Sequence, residues 1–368
     1  MVACRAIEQA LVARGFDGLI RTIDILDYMP PPVARLFSKG YLTAATRLPW
    51  LWYAIYESGS HLSRFQPASL WQTNLLKLIL WRVSRILQAE KPAYIVSAYF
   101  TSSWAAARYK AAYDPACRVA TVVTDYGLHP AWLIPGQNRY FVPTEESRME
   151  LVDFESYTLV GADKITVTGI PIEKRFTVAK DKNLVKEKHG LSGDRFTVLI
   201  LAGDYGRHYI ESILAQLARA RSPIQILVVA RSPFELSEQL QRDLRTKNIP
   251  IRMFGKIGFI DELMAIGDVA ITKTGGLTSS ECLSSGCPLL IYRPYPGQEE
   301  RNAALFLEKG VAWRIFQLGS LAYKIDKLAA DPKMHQAMVE AARSVINPNA
   351  ADDIARAVLD DLKPAQNT

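Results

Sequence analysis

A pair of glycines, Gly275-Gly276, marks the first candidate site. An apolar run ends at Thr272 and a helix-like segment follows the glycines, in the stretch ITKTGGLTSSE. Glycines at such a junction let the backbone approach a ligand, and the amides and dipole of a helix N-terminus attract an anion. We expect Leu277 to face inward and Thr278 to add a hydroxyl. The pattern is neither a Walker loop nor G-x-G-x-x-G, so a tight turn without a ligand stays an open alternative.

Two interpretations of Glu281 also stay open. With Thr278 it forms an [ST]-x-x-E pattern, which is typical of a capping box at a helix N-terminus. Its carboxylate would repel a bound diphosphate, but it could accept hydrogen bonds from the 2′ and 3′ hydroxyls of a ribose.

A dense polar group follows the next apolar run. The stretch YPGQEERNAALF places these side chains after a Pro-Gly turn: Gln298, Glu299, Glu300, Arg301 and Asn302. Such a group is usually a solvated helix start. Amides and carboxylates at the end of a strand can also bind sugar hydroxyls, because they offer both donors and acceptors.

Two further loops carry candidate residues. In TDYGLHPAW, Asp125 and His129 could act as an acid–base pair, although such residues also cap loops. In LILAGDYGRHY, Gly203 and Gly206 could approach a diphosphate, with neutralisation by Arg207 or His208. We predict no metal site and no cofactor, because the sequence has no D-x-D pair, no H-x-x-x-H and no clustered carboxylates at a strand end.

Alternating apolar runs and helical stretches position these residues. The runs that predict strands are 93–98, 118–124, 139–143, 164–169, 196–203, 224–230, 251–254, 268–272 and 288–293. This alternation predicts an α/β fold of two doubly wound domains facing across a cleft. Helical spacing also predicts a first helix that ends at Gly15. A charged stretch, 169–194, indicates the junction, so we predict domains at 1–175 and 176–345 and a C-terminal helix and tail at 346–368.

Residues 33–91 differ in composition from the rest of the 368-residue chain. They hold eight basic residues against two acidic ones, and four of the seven tryptophans: Trp50, Trp52, Trp71 and Trp81. Basic side chains among aromatic rings are typical of a membrane–water interface with anionic lipid. An ordinary pair of helices covering a core is the alternative. The net charge of +7 suits an anionic membrane or a phosphorylated substrate, and we predict no nucleic-acid partner, because no recognition motif accompanies it.

The cysteines and the apolar segments indicate the compartment. Cys4, Cys117, Cys282 and Cys287 form no C-x-x-C pair, which disfavours a zinc site or a disulfide framework. No apolar run is long enough to predict a transmembrane helix, and no signal peptide is evident. We therefore expect a protein inside the cell.

The segment TKTGGLTSSECLSSGCPLLIYRPYPGQEERNAALFLEKGVAW resembles the donor-site signature of the monogalactosyldiacylglycerol synthase and processive diacylglycerol glucosyltransferase family, which are family 28 glycosyltransferases of GT-B fold. TDYGLHPAW and KITVTGIPIEKRF resemble the amino-terminal domain of the same family. MFGKIGFIDELMAIGD also matches, with Lys256 where an aromatic residue is usual. The resemblance covers essentially the whole chain.

The resemblance implies a function and a set of roles. The function is transfer of glucose or galactose from a UDP-sugar to diacylglycerol, at the cytoplasmic face of a membrane by a peripheral protein. Residues 33–91 would enter the bilayer surface. By this resemblance, the UDP diphosphate would be bound by Gly275, Gly276, Leu277 and Thr278, the ribose by Glu281, and uracil by the backbone near Ile257. The hexose would be bound by Gln298, Glu299 and Asn302, and the acceptor side would be lined by Asp125, His129 and Trp132.

One departure from the family bears on activity. The family pattern begins with a strand and a glycine-rich loop that ends in G-H-x-x-A-A, whose histidine is regarded as the base, whereas this sequence begins at MVACRAIEQAL. We therefore expect one of two situations. Either the activity is weak, unless His129 replaces the missing histidine as the base, or the native chain is longer than this sequence. Two alternatives stay open: a UDP-N-acetylglucosamine-dependent transferase of the peptidoglycan type, and a non-catalytic protein that binds a UDP-sugar or lipid.

Overall fold

A computed structural model describes residues 1–35, 74–153, 161–203 and 205–363. Trp50, Trp52 and Trp71 of the predicted membrane segment lie outside this described part of the chain. Within it, no helix has both the length and the apolar character needed to cross a bilayer.

The chain forms two compact units. Unit 1 contains residues 1–173, 295–302 and 347–368, and unit 2 contains residues 174–294 and 303–346. The first crossing between the units therefore lies two residues before the boundary predicted at 175. The predicted C-terminal segment, 346–368, falls almost entirely in unit 1.

Helices alternate with strands in both units, as the sequence pattern predicts. The helices of the described residues are α1 (Val2–Ala13), α2 (Pro31–Arg35), α3 (Asn74–Glu90), α4 (Phe100–Ala112), α5 (Glu145–Asp153), α6 (Lys182–Lys188), α7 (Arg207–Leu217), α8 (Glu238–Thr246), α9 (Ile260–Ile266), α10 (Gly276–Ser284), α11 (Gln298–Glu308), α12 (Leu321–Ala330), α13 (Pro332–Ala341) and α14 (Ala350–Leu362). Helix α1 confirms the predicted first helix, and Gly15 beyond it has φ +81°, a conformation that glycine adopts readily.

The sheet of unit 1 is parallel, in the order β1-β2-β3-β4. Its strands are β1 (Tyr94–Ser97), β2 (Arg118–Val122), β3 (Arg139–Val142) and β4 (Ile165–Val167). Val119, Val122 and Phe141 are fully buried, as expected where helices cover both faces of a parallel sheet.

The C-terminal helix α14 completes the core of unit 1. Ile354 and Val358 of α14 pack with Ile7 and Leu11 of α1. At the end of α14, Asp361 accepts hydrogen bonds from the Tyr94 hydroxyl at 2.8 Å and from Arg139 Nη2 at 2.7 Å. These contacts attach the last helix to the first and third strands.

The sheet of unit 2 is also parallel, in the order β10-β9-β8-β5-β6-β7. Its strands are β5 (Phe196–Gly203), β6 (Ile224–Ala230), β7 (Ile251–Phe254), β8 (Val269–Thr272), β9 (Leu289–Tyr292) and β10 (Ala312–Ile315). From β5 the chain builds outward through β6 and β7, and it then returns to the other side of β5 with β8. The order of the strands therefore reverses between β5 and β8, which is where open α/β sheets bind ligands, beyond the carboxyl ends of the strands.

All nine predicted strands are present, and β10 is an additional strand that the apolar pattern does not predict. Strand β10 lies at the edge of the unit 2 sheet, and its two central residues, Trp313 and Arg314, are only half-buried. A short strand at a sheet edge lacks the continuous apolar run that identified the others.

Candidate functional site

The reversal point of unit 2 brings together two of the predicted glycine loops. Gly203 ends β5 with φ +52°, and Gly206 is the N-cap of α7. Gly275 is the N-cap of α10, just beyond β8. Because β5 and β8 are neighbours, the N-termini of α7 and α10 follow adjacent strand ends.

The backbone between β8 and α10 is strained. Thr274 has φ +111° and is fully buried. A β-branched residue in this region is an outlier that costs about 1–3 kcal/mol and persists only where the surroundings impose it. Such strain is concentrated at ligand-binding sites, and here it directly precedes the glycine cap.

The start of α10 excludes the capping-box interpretation of Glu281. The helix begins at Gly276 after the cap Gly275, which has no side chain to bond the first amides. Thr278 is therefore the third helical residue and not the cap, and Glu281 is the sixth. Leu277, Thr278 and Glu281 are all half-buried, so Leu277 faces inward only in part.

The remaining candidate residues of unit 2 lie in loops and helix starts along the same sheet. Ile257 is half-buried in the loop between β7 and α9, and Arg175 Nη1 donates to the neighbouring Gly258 carbonyl at 2.6 Å. Arg207 pairs with Glu211 at 3.2 Å within α7. The predicted role of Arg207 in neutralising a diphosphate would therefore compete with an internal ion pair.

In unit 1, Asp125 lies at the centre of a buried hydrogen-bonded cluster. It follows β2 and is 4% exposed. Its Oδ1 accepts from Gln298 Nε2, and its Oδ2 accepts from Trp132 Nε1 at 3.1 Å. Residues predicted from two separate motifs, TDYGLHPAW and PGQEERN, are thus in direct contact.

The first turns of α11 hold the loop that carries Asp125. Asn302 is fully buried, and its Oδ1 accepts from the backbone amides of Tyr126 at 2.8 Å and Gly127 at 3.2 Å. Arg301 Nη1 donates to the Leu128 carbonyl at 2.8 Å. A Cβ at Gly127 would lie 2.4 Å from the Cβ of Arg301, so only glycine allows this close approach.

These bonds show that the first turns of α11 stabilise neighbouring loops. Glu299 Oε2 accepts from the Tyr295 amide at 2.7 Å, so Glu299 fixes the turn that precedes its own helix. Gln298 is half-buried beside Asp125. The hexose-binding roles of Gln298, Glu299 and Asn302 stay predictions.

Burial changes the acidity of Asp125. Removal from water raises the pKa of its carboxyl from the ordinary value of 3.8 to about 6, and the hydrogen bonds from Gln298, Trp132 and Asn302 limit the rise. A carboxylate with this pKa is a stronger base than an exposed aspartate and is still ionised at neutral pH.

His129 caps a turn. Its Nδ1 accepts from the Ala131 amide at 3.0 Å, at the start of the turn Pro130–Trp132. In the neutral tautomer that makes this bond, the proton is on Nε2. The loop-capping alternative therefore describes the role of Nδ1.

Two aromatic residues beside this cluster, Tyr99 and Phe100, were not among the predicted site residues. Phe100, which follows β1, packs edge to face on Trp132 with ring centroids 6.2 Å apart. Desolvation and the negative charge of Asp125 raise the pKa of Tyr99. Their position after a strand was the available signal, because strand ends carry the site residues in parallel sheets.

Two further observations concern the predicted membrane segment and the possibility of a metal site. Trp81 of α3 is 40% exposed, and the guanidinium groups of Arg82 and Arg85 lie 5.4 and 5.6 Å from its ring centroid. In the described part of the chain, no group of three or more His, Cys, Asp or Glu side chains is arranged to hold a metal ion.

Comparison with known families agrees with this architecture. The family model for monogalactosyldiacylglycerol synthase matches residues 1–172, and the model for the glycosyltransferase family 28 C-terminal domain matches residues 197–356. The chain belongs to glycosyltransferase family 28. The resemblance predicted from the sequence is therefore confirmed, and the chain is a member of an enzyme family that transfers sugars.

Individual relatives of this family 28 chain extend over most of its length. A processive diacylglycerol beta-glucosyltransferase from Bacillus thuringiensis is 28% identical, over 95% of this chain and 90% of the relative. Among solved structures, HepE from Anabaena in complex with UDP is 14% identical, covering 77% of this chain and 82% of that one with a TM-score of 0.52. MurG from Acinetobacter baumannii is 15% identical, covering 77% and 78% with a TM-score of 0.54. These two similarities concern the fold, and the predicted GT-B fold is confirmed.

Proposed function

We propose that this protein transfers a hexose from a UDP-sugar to the hydroxyl of diacylglycerol. The observation that carries the proposal is the glycine-capped N-terminus of α10 beside the strand-order reversal of unit 2. The name of the Bacillus thuringiensis relative, a diacylglycerol glucosyltransferase, supports diacylglycerol as the acceptor. Glucose and galactose differ at one hydroxyl, so the proposal names a hexose.

Unit 2 binds the donor in this proposal. The diphosphate lies at the amides of Gly275 and Gly276 and near Gly203 and Gly206, which provide partial positive charge without side-chain bulk. Leu277 and Thr278 complete the first turn. Glu281, whose position in α10 does not fit a capping box, accepts hydrogen bonds from the ribose hydroxyls. The backbone near Ile257 forms hydrogen bonds with uracil.

Unit 1 supplies the base and the acceptor side. The oxygen of the lipid hydroxyl attacks the anomeric carbon, the bond to the diphosphate oxygen breaks, and the leaving UDP keeps the electron pair. Asp125 takes the proton of the hydroxyl, because its raised pKa suits a general base near neutral pH. We assign the base to Asp125 and not to His129, because Nδ1 of His129 already caps a turn.

Other residues of the cluster position these groups. Gln298 bonds Asp125 and reads the hexose hydroxyls, so it links donor recognition to the base. Trp132, through its indole, fixes the other carboxylate oxygen. Glu299 and Asn302 support hexose binding through the loops that they hold.

Membrane attachment completes the proposal. The protein acts as a peripheral protein on the cytoplasmic face of an anionic membrane, through the segment 33–91. Trp81 with Arg82 and Arg85 forms an exposed aromatic and basic group at one end of that segment, of the kind that binds lipid headgroups.

Transfer of a labelled sugar tests the proposal. Radiolabelled UDP-glucose, UDP-galactose and UDP-N-acetylglucosamine are each offered with anionic vesicles, with and without diacylglycerol. We expect labelled glycolipid from UDP-glucose or UDP-galactose only where diacylglycerol is present. Labelling from UDP-N-acetylglucosamine alone would replace the proposal with the peptidoglycan-type reaction, and UDP binding without any transfer would indicate a non-catalytic protein.

A further inference from the structure

Aromatic and basic side chains cluster at one edge of the unit 2 sheet. The strand at this edge is β10, and a short turn, Leu318–Ser320, connects it to α12. We name this edge the β10–α12 surface, and its members are Trp313, Arg314, Phe316, Tyr323, Lys324 and Lys327. None of them was among the predicted site residues, and the predicted membrane segment, 33–91, is a different part of the chain.

Two aromatic side chains of this surface are open to solvent. Phe316 is 77% exposed and Tyr323 is 66% exposed, and no other aromatic side chain in the described part of the chain is as exposed as either. The buried face of α12 is formed by Leu321, Ile325 and Leu328, so Tyr323 lies on the opposite, solvent side of the helix. Exposed apolar groups that cluster indicate an interaction surface, whereas single ones do not.

Three cations lie over aromatic rings of this surface. Lys324 and Lys327 place their Nζ atoms 5.3 and 5.6 Å from the ring centroid of Trp313. Arg314 Cζ is 5.2 Å from the ring centroid of Phe316. The face of an aromatic ring attracts a cation through its quadrupole and does not cancel its charge. Within the described residues, neither lysine has a carboxylate at ion-pair distance, so both keep their positive charge.

The only acidic residue of the segment 312–328, Asp326, is committed to other partners. Its carboxylate accepts hydrogen bonds from the backbone amides of Arg221 at 2.9 Å and Ser222 at 2.8 Å, in the loop before β6. The segment thus has three basic residues against one acidic residue that holds a neighbouring loop. The β10–α12 surface therefore combines positive charge with exposed aromatic rings.

An anionic membrane surface matches this combination of groups. Tryptophan and tyrosine rings bind at the depth of the lipid headgroups, and anionic lipid attracts lysine and arginine. Trp313 and Arg314 are successive strand residues and point to opposite faces of the sheet, so ring–cation pairs flank the edge of β10 on both sides. A protein strand that pairs with this edge is the alternative. Such a strand is bound by backbone hydrogen bonds and needs no cations, so the membrane accounts for more of the observed groups.

We propose that the β10–α12 surface binds the headgroup region of an anionic membrane, so that unit 2 has a membrane contact of its own, separate from the segment 33–91. The rings of Phe316 and Tyr323 enter the headgroup region, and Lys324 and Lys327 attract the anionic lipid. This contact is independent of which sugar the enzyme transfers and of which residue acts as the base.

Sedimentation of the full chain with vesicles tests this contact. The vesicles contain phosphatidylcholine alone or phosphatidylcholine and phosphatidylglycerol in equal parts, at low salt. We expect the double variant Lys324→Gln/Lys327→Gln to bind the anionic vesicles about tenfold to thirtyfold more weakly than the wild type, because each lysine near such a surface contributes about fivefold. Its binding to phosphatidylcholine alone should not change. The double variant Phe316→Ser/Tyr323→Ser should bind both kinds of vesicle several-fold more weakly, because its loss is apolar.

Two substitutions elsewhere in unit 2 are the matched controls. Lys247→Gln removes an exposed lysine at the C-cap of α8, which precedes β7 at the opposite edge of the same sheet. Leu184→Ser removes a side chain of α6 that is 63% exposed. Both controls should bind vesicles as the wild type does. Since Phe316 and Tyr323 are exposed, the variant with two serines should unfold at the urea midpoint of the wild type, which separates lost binding from lost folding.

Three results would contradict the proposed contact. Wild-type affinity for anionic vesicles in both double variants would overturn it and leave the proposed function untouched. Loss of a dimer in Phe316→Ser/Tyr323→Ser, measured by ultracentrifugation with vesicle binding unchanged, would assign the surface to a second copy of this chain. A wild type that binds no anionic vesicles would overturn this contact together with the peripheral attachment in the proposed function.

Discussion

Helices α10 and α11 follow adjacent strands, β8 and β9, but their first turns have different partners. Helix α10 begins after a glycine, so the cap supplies no side-chain acceptor to its first amides. In α11, by contrast, Gln298 donates to Asp125 and Asn302 accepts from two backbone amides of the loop after β2. One helix start is suited to an exchangeable anion, and the other is committed to internal bonds.

The difference separates a helix start that is suited to ligand binding from one that positions a loop. In the proposed reaction, a diphosphate at the start of α10 replaces water and leaves after each turnover, so permanent side-chain caps would compete with it. The loop of Asp125 must keep one geometry, and several side chains hold it by hydrogen bonds. The following predictions test this comparison, from the largest expected effect to the smallest.

The largest effect is expected for Asp125→Asn, on the side of the comparison that is committed to internal bonds. Loss of the base should lower the rate of sugar transfer by about 10²–10⁴-fold. The same substitution should increase the stability of the folded protein at neutral pH. The folded-state pKa is raised from 3.8 to about 6, so the stabilisation from the bound proton is present below pH 4 and is lost as the pH rises through 6. At pH 7 the buried negative charge of Asp125 therefore destabilises the folded wild type. The free energy of unfolding of Asp125→Asn should be higher than that of the wild type by up to about 3 kcal/mol.

Urea denaturation of both proteins between pH 4 and pH 7 measures this stability difference. The advantage of Asp125→Asn should shrink as the pH falls towards 4. A difference that is constant across this range would contradict the raised pKa, and an unchanged transfer rate would remove Asp125 from the mechanism.

An intermediate effect is expected for Asn302→Ala. This change leaves the buried amides of Tyr126 and Gly127 without their acceptor, so the free energy of unfolding should fall by about 1–3 kcal/mol and the transfer rate should fall with it. Asn302→Asp keeps an acceptor oxygen and should retain more stability. Asn349→Ala is the control, because Asn349 caps α14 without a side-chain capping bond. Equal stability of Asn302→Ala and the control in chemical denaturation would refute the holding role of Asn302.

The smallest effect on stability is expected for Thr278→Ala in α10. Thr278 is the third residue of the helix and not its cap, and alanine is the better helix former, so unfolding should change by less than about 0.5 kcal/mol. UDP affinity should nevertheless fall several-fold, because the hydroxyl is lost from the proposed diphosphate site. A marked loss of stability with unchanged UDP affinity, measured by denaturation and calorimetry, would reverse the assignment of this helix start.

The sequence predicted the elements well, because continuous apolar runs identify buried parallel strands. It also identified the glycine cap of α10, where backbone freedom is encoded by the residue type itself. The capping box at Thr278 failed because a local pattern does not determine which residue begins a helix. The target of Asn302 could not be predicted, because its partners lie about 175 residues away in sequence and the contact depends on the tertiary fold.

The return of the chain to unit 1 has a consequence for biosynthesis. The core that joins α1 to α14 needs Ile354 and Val358, which the ribosome adds only after the whole of unit 2. At about 5–20 residues per second, the nascent amino-terminal region waits about 10–40 s for that last helix. During this interval the apolar faces of Ile7 and Leu11 are open to chaperones, whereas unit 2 has already received all of its strands.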